Sequence, residues 1–255
     1  RLEAINLKIA LPSLDSPMKA DGSLIWNKEK IDLSFGLSNP NGFLNGKKTD
    51  VETRIATAPV TLSFKGSAAT GGKLKAGGAL DLYVPSIRKL TAWVGAPLTA
   101  PGSGYGPLKI TGQVDVDGAK YAFRKAKLSV DKISGSGEVA FDGGRPKPLV
   151  TAILSLGMLD LNPYLPPEAK AGDKGAAKPA SGAGGAKPAV AAGWSDDPID
   201  LSGLKAVDAT LDLSVAGILI RKIKIGQSNL GVTLKNGVLV TNLKKMALYK
   251  GTGRA

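Results

Sequence analysis

Chemistry at a protein site needs groups that can take up a proton, hold a metal or attack a carbonyl, and this chain offers few of them. It contains no His and no Cys among its 255 residues. Thiol nucleophiles, imidazole bases, disulfide frameworks and Cys/His zinc sites are therefore all excluded. Asp115 and Asp117 sit two apart in LKITGQVDVD, so on a strand they share one face with Lys109, Thr111 and Gln113. Paired carboxylates can divide acid and base work, as a lipid or glycan hydrolase would require. That polar face should be solvated, however, with nothing to move either pKa. GSGYG at Gly102 to Gly106 has the glycine content of a phosphate loop but lacks a following Gly-Lys-Ser/Thr and a helix, so it reads as a plain loop. Asp196 and Asp197 follow Ser195 in GWSDDPIDLS and read as capping residues ahead of Pro198. No catalytic residue, metal site or cofactor is expected, and the chain reads as a non-enzyme.

The elements that surround these residues are strands. Ile31, Leu33, Phe35 and Leu37 alternate with polar residues, as do Ala58, Val60, Leu62 and Phe64. The same period of two runs through Leu108, Ile110, Val114 and Val116, through Ile133, Val139 and Phe141, and through Val150, Ala152, Leu154 and Leu156. It returns in Leu211, Leu213 and Val215 and in Leu230, Val232 and Leu234. NKEK at 27–30, VDGA at 116–119, FDGG at 141–144 and LKNG at 234–237 supply turns between such runs. Short connections favour antiparallel neighbours, so the expected fold is mainly β: an antiparallel meander forming a curved, groove-like sheet or a sandwich. Around Arg221-Lys222 the apolar parity flips, from Ile218 and Ile220 to Ile223 and Ile225, marking a bulge or a turn.

One stretch departs from alternation. In LDLYVPSIRKLTAWVGAPL, Ile87, Leu90 and Val94 recur at helical spacing, with Ser86 as a candidate N-cap and Gly95 and Pro97 as a stop. A helix over 86–94 is too short to stand alone and must dock on an apolar surface. LDLNPYLPP at 159–167 is a comparable segment closing a later set of strands. From 166 to 193 the chain is nearly all Ala, Gly, Lys and Pro, a flexible linker between a β-rich part, 1–165, and a C-terminal β module, 194–255.

Lys and Arg outnumber Asp and Glu 34 to 21, for a formal charge of +13. From Leu201 onward nine basic residues face only Asp208 and Asp212. Anionic surfaces are the expected partners. Nucleic acid is not expected, because the basic strands carry one aromatic, Tyr249, and no helix has a basic stripe. No run is long enough to span a bilayer as a helix. A start at Arg1 and an end directly after a strand-like run read as a segment of a longer protein, so missing targeting signals carry no weight.

Several stretches taken together resemble the C-terminal region of the AsmA family. They are LDLYVPSIRKLTAWVGAPL, LDLNPYLP with its Ala/Gly/Lys/Pro insert, and the run from Trp194 to Gly253. That run holds WSDDPID, DATLDL, LKNGVL and LYKGTG. The resemblance implies a Gram-negative periplasmic protein attached to the inner membrane through an N-terminal helix outside this segment. It further implies a role in outer-membrane biogenesis, with phospholipid moving along an elongated β-groove similar to that of bridge-like lipid-transfer proteins, and no catalytic residues. The short helix would brace one edge of the groove. Candidate lining residues, by shared parity, are Leu108, Ile110, Val114, Val116, Leu211, Leu213, Val215, Leu230, Val232 and Leu234. Candidate headgroup contacts are Lys222, Lys224, Lys244 and Lys245. The alternative is a closed β-sandwich serving as a scaffold for other envelope proteins.

Overall fold

The computed structural model describes residues 2–166, 206–248 and 251–253. The 166–193 linker beyond Pro166, the WSDDPID motif and Tyr249 lie outside the described residues.

Alternating apolar residues separated by tight turns fold here as a single sheet in chain order. The strands are β1 (Leu2–Ala10), β2 (Met18–Trp26), β3 (Glu29–Leu37), β4 (Thr49–Thr57), β5 (Val60–Thr70), β6 (Leu74–Val84) and β7 (Leu108–Asp117). They continue as β8 (Lys120–Val130), β9 (Ile133–Asp142), β10 (Leu149–Asp160), β11 (Asp208–Ile220), β12 (Ile223–Lys235), β13 (Val238–Leu248) and β14 (Gly251–Gly253). Each pairs with its neighbours in sequence, and β1 and β14 form the two open edges. The sheet does not close.

Among the described residues every pairing is antiparallel except one: β10 and β11 run parallel, with Ala152 opposite Leu211 and Leu154 opposite Leu213. The pure antiparallel meander is corrected at this point. A parallel return needs a dozen or more residues, and the chain between Asp160 and Asp208 supplies far more. The expected turns at NKEK, VDGA, FDGG and LKNG all form. Ala58 and Pro59, read as the start of a strand, are instead the turn ahead of β5. Arg221-Lys222 is a two-residue hairpin turn, with Arg221 at φ +53° and Ile220 paired to Ile223. The parity flip is thereby explained: the hairpin places Ile218, Ile220, Ile223 and Ile225 on one face.

Among the described residues two short α-helices interrupt the strands. α2 (Ile87–Trp93) matches the expected helix, with Ser86 accepting from the Lys89 N–H and Gly95 at φ +83° ending it. Val94 is its C-cap and is 47% exposed, so Trp93 rather than Val94 completes the docking face. α1 (Pro40–Leu44), capped by Asn39, was not foreseen, since five residues are too few to show a period. Val84, 1% exposed, is the most deeply buried large side chain among the described residues. Among the described residues no second layer covers the sheet, and they form a single open sheet rather than a sandwich.

Candidate acyl-chain trough

The register fixes which side chains share a face. Leu82 opposes Ile110, Ile110 opposes Leu128, and Leu128 opposes Gly135. From there Leu156 and Val215 follow, and then Ser228. Followed strand by strand, all ten candidate lining residues fall on the same face of the sheet. Tyr121, Phe123, Val130, Val139, Phe141 and Leu154 fill the strands between the β7 set and the β11–β12 set. Most of these side chains are half-buried; Val215 and Leu234 are 5% exposed, whereas Tyr121 is 50% exposed. In a sandwich the same residues would be sealed against a facing sheet.

The apolar face is the inside of a curve. In mid-strand on this face stand Gly22, Gly66, Gly78, Gly112, Ala126 and Gly137. A Cβ on Gly66 would lie 2.2 Å from the Gly77 carbonyl oxygen, and one on Gly137 would lie 2.3 Å from that of Ile153. Gly36, on the opposite face, has nothing within 4 Å. A sheet curling toward its apolar side crowds that face and opens the other. A bulge between Phe123 and Ala126, with Lys125 at φ +51°, sharpens the bend in β8. Small residues recur near mid-strand on β2 and on β5 to β9, so the trough they floor crosses the strands, and strand ends form its two rims. From β2 to β12 it runs about 50 Å at ordinary strand spacing.

One rim is capped along its length. Trp93 of α2 packs edge-on against Trp26 of β2 with ring centroids 4.6 Å apart, and its indole N–H donates to the Trp26 carbonyl at 3.1 Å. The helix thus passes the ends of β3, β4 and β5. Arg88 donates to the carbonyls of Ala100, Gly102 and Gly104 and lies 5.1 Å from the Tyr105 ring centre, tying the GSGYG loop to the helix. Asp131, in the β8–β9 turn, then accepts from the N–H groups of Tyr105 and Gly106 and from the Tyr164 hydroxyl at 2.6 Å. Burial, followed by this carboxylate, holds the Tyr164 phenol well above its usual pKa. The single-turn helix at Asn162–Tyr164 passes the link on: Asn162 accepts from the Arg221 N–H at 2.6 Å. The two non-alternating segments are therefore halves of one clasp. Arg88 and Asp131 were missed as its hubs, because partners more than ten residues away leave no local pattern. On the other rim α1 covers the β4–β5 end, where Thr70 donates to the Phe43 carbonyl, and reaches the β1–β2 loop, where the Asn41 N–H donates to the Leu14 carbonyl.

Compared with protein-family models, curated proteins and solved structures, the chain finds no match.

The remaining candidates lie elsewhere. Asp115 and Asp117 are on the convex face, Asp117 paired with Lys73 at 2.8 Å and Asp115 with Arg124 at 3.8 Å. The Lys73 ammonium holds the Asp117 carboxyl below its usual range, which suits an ion pair and not a general acid. A hollow of about 460 Å³ beside them is lined by Lys75, Lys120 and Asp142 together with Ala122, Ala140 and Leu149, and lies open. The four candidate headgroup lysines are not brought together. Lys244 bonds Asp212 and Lys245 bonds Gln227, both on the convex face. Lys222 is in the β11–β12 turn, and Lys224 opposes Leu219 on the concave face. Among the described residues, no cluster of acidic side chains could hold a metal ion, and no helix is long and apolar enough to cross a membrane.

Proposed function

We propose that this chain is a non-enzymatic lipid-handling segment of a cell-envelope protein, holding phospholipid acyl chains in its trough and passing them along it. The observation that carries the reading is the half-open, largely apolar face that continues from strand to strand on the inside of the curve. Such a surface is costly to leave in water, and each methylene buried on it is worth about 0.8 kcal/mol. Its lining has few polar groups to fix a rigid ligand in one pose, which suits chains that slide. The resemblance to the AsmA family supplies the setting: a periplasmic location, attachment to the inner membrane, and phospholipid traffic toward the outer membrane. Scaffolding by a closed sandwich loses its basis, since the sheet is single and open.

Native mass spectrometry of the purified chain, followed by extraction, tests the reading directly. Stoichiometric phospholipid is the expected result. Leu213→Asp and Val232→Asp, at half-buried positions on adjacent strands, should fold and lose that lipid. A lipid-free mass from folded wild type, or unfolding of both variants, would sink it.

A further inference from the structure

We propose that the tip of the β11–β12 hairpin is a docking site for an anionic phospholipid bilayer, seating the capped rim of the trough on a membrane surface. The inference rests on the lipid-handling reading and adds the point of contact. Along β2 to β9 the convex face is polar, with residues such as Asp32, Ser34, Lys65, Gln113 and Glu138. At the hairpin tip it changes character. Leu159 opposes Ile218, Ile218 opposes Ile225, and Ile220 opposes Ile223, so five aliphatic side chains form one convex patch. Ile223 is 51% exposed.

Charge accompanies the patch. Lys222 stands in the turn, exposed and without an ion-pair partner among the described residues; Lys224, likewise exposed and unpaired, lies on the concave side of the same rim, opposite Leu219. Lys132, at the tip of the β8–β9 hairpin on the same rim, is likewise exposed and unpaired among the described residues. No Asp or Glu occurs anywhere after Asp212. Two carboxylates on this rim are engaged: Asp131, beside Lys132, accepts from the Tyr105 and Gly106 N–H groups and the Tyr164 hydroxyl, and Asp160, in the Leu219–Lys224 row of the concave face, accepts from the Asn162 N–H. On the opposite rim three cations are matched, Lys73 with Asp117, Lys120 with Asp142 and Lys147 with Asp208, while Lys48 and Arg145 have no ion-pair partner among the described residues.

Aliphatic side chains at the tip of a hairpin, flanked by unpaired cations on long stems, fit the boundary between headgroups and acyl chains. A nucleic acid would need stacking rings, and the tip has none.

The absence of cysteine makes the test simple, since one introduced thiol carries one environment-sensitive fluorophore. The full chain labelled at Ile223→Cys, and separately at Glu52→Cys on the distant convex face, is mixed with phosphatidylcholine vesicles with and without phosphatidylglycerol. Docking predicts a blue shift at position 223 alone and only with phosphatidylglycerol. Ile223→Ser and Lys222→Glu should each lower vesicle partitioning by about tenfold. Equal shifts at both positions, binding to neutral vesicles alone, or displacement by single-stranded DNA with no shift at 223 would overturn it. Lipid co-purifying with the chain is measured without vesicles. Loss of docking in Ile223→Ser with retained lipid therefore separates this site from the trough.

Discussion

A single Cβ decides whether a strand can sit on the inside of this curve. Gly66→Ala would place a methyl 2.2 Å from a neighbouring carbonyl oxygen and should cost about 1–3 kcal/mol in urea unfolding. Gly36→Ala, with open space around it, should leave stability unchanged or raise it by about 0.5 kcal/mol. Equal effects at the two positions would contradict the assignment of the concave face. Tyr164 offers a second check, through pH. Its folded pKa is raised above the ordinary tyrosine value of about 10, so the stability it contributes is intact below about pH 10 and drains away as the pH climbs toward the folded value. Urea titrations of wild type and Tyr164→Phe should therefore differ more at about pH 8 than at about pH 11. These residues also mark the limit of legibility. Polarity alternation exposed the lining positions, because burial on one face leaves a period of two. Nothing local announced Asp131, whose partners Tyr105 and Tyr164 lie on separate loops.

At the scale of elements, regular strands were readable and irregular ones were not. β3, β7 and β9 keep one parity from end to end. β8 does not: Tyr121 and Phe123 face the trough on odd numbers, Ala126, Leu128 and Val130 on even ones, because the bulge at Lys125 shifts the phase. The strand therefore hides from a search for period two. α2 was legible through its cap and stop, while its docking partner was not, since Trp26 lies 67 residues away. Trp93→Ala removes both an aromatic pair and a hydrogen bond and should cost about 2–3 kcal/mol, whereas Val94→Ala should stay within about 0.5 kcal/mol. Urea unfolding followed by the far-ultraviolet signal compares the two.

For the molecule as a whole, the decisive choice between open trough and closed sandwich was invisible in composition, because both bury the same alternating faces. Curvature settles it, and curvature resides in where the glycines fall relative to the register. The parallel junction between β10 and β11 makes a further demand, since the chain must travel the length of a strand before pairing. Twelve residues of β10 at ordinary rise span about 40 Å. Deleting residues 171–190 should leave enough chain to make that journey and so preserve the far-ultraviolet spectrum and a cooperative melt. Collapse of the sheet in that variant would show that the segment does more than connect.

The same junction shapes the route to the native state. On either side of it, every strand meets its partner across a nearby turn or a modest loop, and such contacts form early and fast. Joining β11 to β10 instead closes a long loop, whose entropic cost grows only with the logarithm of its length. The chain can thus mature as two independently zipping ribbons whose late marriage is a single nonlocal event, and a refolding experiment should see that event as its slowest phase.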